Sequence, residues 1–179
     1  MDEDHLTRAG RTATPRDLVT VKRYLAPSDF TAAETWRLVE WCRGLGADEF
    51  TIDSVGNDGV VARKFWQRFE KVVKQFALGE KTRERMSGPT ADELRRPTRL
   101  WKLNDKTVGA LKQALPEGLL QYDPGDGSWF EDPVFYREGS LMLGTLSHEA
   151  FAVLCISEQE AEQLTAAGFR THDSLPRIG

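Results

Sequence analysis

The sequence predicts an α+β fold: a mostly antiparallel sheet of four to five strands with a C-terminal three-stranded meander, packed by about five to six helices. Three observations lead there. Within residues 60–78, VVARKFWQRFEKVVKQFAL, the apolar residues Val61, Phe65, Phe69, Val72 and Phe76 recur at helical spacing. From Trp129 onward the period changes, and VFYREGSLMLGTLSHEAFAVLCIS splits into three apolar segments separated by Glu138-Gly139 and by Ser147-His148-Glu149. N-cap signals also recur along the chain, each followed by an apolar periodic stretch.

Taken in order, residues 1–13 are polar and aperiodic and predict a flexible N-terminal arm. Residues 14–179 then form a single domain, a size that buries a core without disulfides or metal. Thr14-Pro15-Arg16-Asp17 reads as a cap, a proline at the first helical position and an acid, opening a short helix through Leu18, Val21 and Leu25. A second helix is expected over about 28–45, with Thr31 and Glu34 as a capping box and Gly46 suited to a left-handed position. DEFTIDSV is a strand, and GNDG turns it into the long 60–78 helix. Residues 79–98 are the least hydrophobic interior stretch and predict a polar surface excursion. RLWKL is a short strand, and Asp105 caps a helix through Val108, Leu111 and Leu115. After the meander, Ser157 and Glu160 open a last helix that Gly168 closes. AFAVLCI has no polar alternation, which predicts cover on both faces of its strand, by helices on each side.

Composition narrows the class. With 40% hydrophobic and 29% charged residues the chain reads as globular. The acidic start MDEDHLTRAG lacks the apolar stretch of a secretory signal, and AFAVLCI is far too short to span a bilayer. A cytoplasmic protein without membrane partners is the expectation. Cys42 and Cys155 each sit in an apolar pattern and read as buried thiols, and no second Cys or His stands at zinc-ligand spacing. No metal or other cofactor is expected. The net charge of −4 hides an asymmetry: residues 63–112 hold fourteen Lys/Arg against six Asp/Glu, whereas 113–162 hold ten acids and Arg137 alone.

Four stretches invite a chemical reading. Ser147-His148-Glu149 puts a nucleophile, a base and a carboxylate side by side, but neighbours on an extended chain point apart, and no glycine-flanked elbow surrounds the serine. It reads as the turn between the last two strands. YDPGDGSWFED spaces Asp123, Asp126, Glu131 and Asp132 somewhat like a calcium loop yet lacks an EF-hand's alternating acids, and reads as a solvated loop. SVGNDG fits neither dinucleotide nor phosphate-loop spacing, and Asp58 would repel a phosphate. The basic side of the long helix and the arginines after it, beside Trp66 and Trp101, would suit phosphate attraction with base stacking.

Without a catalytic constellation, the expected function is non-enzymatic protein binding, as in a small bacterial regulatory, antitoxin or immunity-type protein. The candidate contact residues are Arg63, Lys64, Arg68, Lys71, Lys74, Arg95, Arg96 and Trp101 on the basic side, and Asp126, Glu131 and Asp132 on the acidic side. No catalytic residue is assigned. One alternative is a nucleic-acid-binding module using 63–112, and a second is an enzyme with a site near His148. Association with a second copy of the chain is compatible with the unbroken apolar strand.

Overall fold

In the computed structural model the described residues are 20–26, 30–54, 60–84, 86, 97–121 and 130–174, with backbone alone at 54 and 60–63. The chain runs β1 (Thr20–Leu25), α1 (Ala32–Gly44), β2 (Glu49–Ser54), α2 (Val60–Val73), β3 (Ala77–Thr82), β4 (Pro97–Lys102), α3 (Asp105–Ala114), β5 (Phe130–Arg137), β6 (Ser140–Leu146), β7 (Phe151–Ser157) and α4 (Glu158–Ala166). Single 3₁₀ turns occupy Lys74–Phe76 and Ser147–Glu149. The strands form one sheet in the order β1-β7-β6-β5-β2-β4-β3, and every neighbouring pair is antiparallel.

Local chemistry accounts for the boundaries that the sequence marks. Thr31 with Glu34 and Ser157 with Glu160 form reciprocal capping boxes at α1 and α4, satisfying backbone N–H groups that a helix start leaves open. Asn104, not Asp105, caps α3, because its side-chain oxygen accepts from the N–H groups of Lys106 and Thr107. Glu138 and Gly139 both take positive φ, 51° and 77°, which a tight hairpin between β5 and β6 requires.

The two faces of the sheet are covered differently. On one, all four described helices contribute to a single core that includes Trp36, Val39, Phe50, Phe69, Trp101, Leu111, Phe135, Leu154 and Leu164. On the other, Leu100, Val134, Tyr136, Leu141 and Val153 form a smaller cluster with Tyr24, Met86 and Cys155, to which no described helix contributes. The chain leaving β3 lies on this second face. Arg83 donates to the Glu49 carboxylate at 2.8 Å, the Tyr136 hydroxyl donates to the Glu84 carbonyl at 2.9 Å, and Met86 sits over Gly144. Along β7 the burial alternates between faces, with Ala152, Leu154 and Ile156 in the helix-covered core and Val153 in the smaller cluster. The cover on both faces is real, but the described helices supply only one side of it.

Other expectations need correction. The sheet has seven strands, not four to five, and the described residues hold four α-helices, not five to six. Thr20–Leu25 is strand β1, paired along its length with β7, where the helical spacing of Leu18, Val21 and Leu25 suggested a helix. Tertiary pairing with an available strand edge overrides so weak a propensity. The long helix ends at Val73, and Ala77–Thr82 continues as β3, so both described ends of the expected 79–98 excursion are strand. The arm at 1–13 lies outside the described residues.

Candidate functional site

The amphipathic pattern of α2 sets up the first candidate surface. Phe69 and Val73 are buried, and Trp66 packs against Phe69, Trp101 and Phe130 with ring centroids 5.9, 6.2 and 5.8 Å apart. The opposite side exposes Lys64, Arg68 and Lys71, with Lys74 following in the 3₁₀ turn. Phe65, expected in the core, is 41% exposed, and the Arg68 guanidinium lies 5.8 Å above its ring. A shallow cleft of about 50 Å³ runs between α2 and α3, lined by Phe65, Arg68, Phe69, Val72, Ala114 and Phe130. That volume is well below the ~300–1,000 Å³ of ordinary small-molecule sites.

The basic and acidic blocks do not neutralise each other among the described residues. Lys81 and Arg83 hold Glu49, Arg99 holds Glu70, Arg137 holds Glu160 and Arg23 holds Glu158. None of these pairs joins a cation of 63–112 to an acid of 113–162. Trp101 is a correction to the expected surface: it is 2% exposed, stacked on Phe50 at 5.6 Å, and belongs to the core. The Arg63 side chain and residues Arg95, Arg96 and Asp126 lie outside the described residues.

A second constellation sits where β5 begins. Thr51 faces Val134 and Asp53 faces Glu131, so β5 carries an extra residue there, a bulge at Asp132-Pro133. Pro133 has no N–H to give a ladder, and a bulge is where an interior strand tolerates that. Asp132 takes a left-handed φ of 50° and is buried, with 4% exposure. Its backbone N–H donates to Ser147 Oγ at 3.2 Å, while the Ser147 N–H donates to Asp132 Oδ1 at 2.7 Å. This reciprocal latch fixes the β6–β7 turn to the bulge and occupies the serine hydroxyl. The turn reading of Ser147–Glu149 fits this geometry: Ser147 is buried in the latch and His148 lies exposed, 3.7 Å from Glu149.

The latch also gathers side chains that the sequence reading kept apart. Ligand-type atoms of Glu131, Asp132 and His148 all lie within 4.8 Å of one another. Burial pushes the Glu131 carboxyl above its ordinary range, and the charges of Asp132 and Asp53 push the same way, with His148 opposing. The sequence places His148 in a turn, with an enzyme site near it as an alternative, and the two acids in a separate solvated loop as candidate partner contacts. The hairpin register could have linked them, because a tight turn at Glu138-Gly139 sets the start of β5 opposite the end of β6. The cysteines offer no reactive counterpart: Cys42 is buried and Cys155 partly so, both free thiols that burial pushes upward.

No protein family, curated protein or solved structure matches this chain.

Proposed function

We propose that the protein is a non-enzymatic binding module of regulatory type that takes an acidic protein partner on the outer face of α2. The observation that carries this reading is the uncompensated stripe of Lys64, Lys71 and Lys74, all exposed and in no ion pair among the described residues. Exposed Phe65 beside Arg68 adds an apolar and cationic contact of the kind that anchors interfaces. Charge of one sign on a rigid helix steers an opposite partner and sets specificity. A nucleic-acid partner is less well supported, because Trp66 and Trp101 pack into the core and, among the described residues, leave Phe65 as the one large aromatic beside the basic residues.

The test is affinity capture from the native host, with and without nuclease, comparing the natural chain with a K64E/K71E/K74E variant of unchanged circular dichroism. The proposal expects acidic proteins that resist nuclease and are lost with the variant. Equal capture by both chains would remove α2 as the binding face, and capture abolished by nuclease would make the partner a nucleic acid.

A further inference from the structure

We propose that the cleft between α2 and α3 receives one aliphatic side chain, of leucine size, from an acidic peptide segment of the partner, a step that rests on the basic face of α2 being the binding surface. The lining of the cleft is mostly apolar. Phe69, Ala110 and Phe130 are buried in it, while Phe65, Val72 and Ala114 keep part of their surface open to solvent.

Size limits the occupant. At about 10–15 Å³ for each water-sized atom, a volume of about 50 Å³ takes roughly four such atoms, the carbon count of a leucine side chain. The ring of a phenylalanine or tryptophan exceeds it. The cleft thus suits a single anchor residue of a larger partner, in the manner of the buried contacts that carry most of the energy at protein interfaces.

Charge decides what flanks the anchor. Lys64, Arg68 and Lys71 follow one another at i, i+4 and i+7 along α2, each one residue before Phe65, Phe69 and Val72, so a cationic row runs beside the apolar row that lines the cleft. Across the cleft, Lys106 lies one helical turn before Ala110 on α3, exposed and in no ion pair among the described residues. Arg68 belongs to both rows: it lines the cleft and holds its guanidinium 5.8 Å from the Phe65 ring centroid, where a carboxylate beside the anchor can bind it bidentately. No acid lines the cleft among the described residues. A nucleic acid offers the complementary charge but presents flat rings, which so small a slot does not fit.

The experiment titrates the ¹⁵N-labelled full chain with two short synthetic peptides rich in Asp and Glu, identical except for leucine or alanine at the centre, and reads affinity from amide shifts by NMR. The leucine peptide should bind about tenfold more tightly than the alanine peptide, with its largest shifts at Phe65, Ala110 and Ala114. Ala114→Leu, which fills the cleft from within, and Phe65→Ala, which removes a wall at an exposed position, should each erase most of that preference. K64E/K71E/K74E should weaken both peptides alike. If charge reversal weakens both but the natural chain binds them equally, the basic face remains the binding surface and the anchor cleft is refuted. A leucine preference that survives in either cleft variant refutes it too. If charge reversal changes neither affinity, or neither peptide binds at millimolar concentration, the basic face is itself refuted and the anchor cleft with it. Tighter binding of a single-stranded oligothymidylate of equal charge would make the ligand a nucleic acid and likewise overturn the proposal.

Discussion

Adjacent residues of β7 should differ sharply in what they cost to remove, because they point to faces with different cover. Leu154 is fully buried in the core that all four helices share, while Val153 lies in the smaller cluster beside Gly144 and Met86. Leu→Ala changes in packed cores cost about 2–5 kcal/mol, and Leu154 should fall in the upper half because β1 and β6 pair its strand on both sides. Val153→Ala removes two methyl groups at about 0.8 kcal/mol each, and the unbranched Met86 side chain can follow into the space, giving about 1.5 kcal/mol. In a chain of this size, 1 kcal/mol moves the melting temperature by about 2–4 °C. Leu154→Ala should therefore lower it by about 12 °C and Val153→Ala by about 5 °C. Thermal unfolding followed by circular dichroism, with size-exclusion chromatography to register any change of assembly, measures both. A Val153 variant as costly as the Leu154 variant would mean the second face is as deeply covered as the first. A Val153→Asp variant of unchanged stability would mean that face is open to water.

Acid should destabilise the fold through Glu49 and Glu160. Burial alone would raise both carboxyls, but hydrogen bonds from Arg83 and Lys81 to Glu49, and from Arg137 and the Ser157 N–H to Glu160, outweigh it and hold both below their ordinary range. Carboxyls lower in the folded than in the unfolded chain contribute stability that is complete above the unfolded value, about 4.3, and is lost as pH falls through the folded values. Glu49→Gln should accordingly flatten the decline of urea stability below about pH 4.5, and an unchanged slope would contradict that assignment. Gly144→Ala places a methyl against Met86 Cγ and Sδ, closer than van der Waals contact, and should displace that side chain at a cost of about 1–2 kcal/mol, largely recovered in a Gly144→Ala/Met86→Ala double variant. His148→Ala should leave stability within about 0.5 kcal/mol, as for other exposed positions, measured by thermal melting.

The readable parts of this chain are those where local chemistry and final environment agree. The Thr31 and Ser157 caps, the Glu138-Gly139 hairpin and the alternation of β7 all follow from short-range rules that the fold obeys. β1 was hidden because Val21 and Leu25 satisfy a helical spacing as well as an alternating one, and only the open edge of β7 decides between them. β3 was hidden for a different reason: Ala77, Leu78, Gly79 and Glu80 are exposed, so its strand state comes from hydrogen bonds to β4 and leaves no hydrophobic signature. At the bulge, Asp132 and Glu131 were visible as acids, but their meeting with His148 depends on the register across β5 and β6, which no single segment carries. The basic side of α2 and the inward side that carries Trp66 were legible from periodicity alone, while the burial of Trp101 was not, because an aromatic on a short strand suits core and surface equally.

The pairing of β1 with β7 also governs the order in which the molecule can be assembled. Thr20 lies against Ser157 and Leu25 against Ala152, a loop of roughly 130 residues whose closure costs on the order of 4 kcal/mol in chain entropy. Among the described residues β1 has no nearer partner in the sheet, and on its outer side Tyr24 forms a backbone bridge with His172. The first described strand must therefore wait for the last, and during synthesis it emerges well before the surface that will receive it. Until it docks, β7 stands as a sheet edge made almost wholly of apolar residues, a template for pairing with any other chain that presents a strand. The speed with which β1 finds that edge sets how long each nascent molecule is open to aggregation.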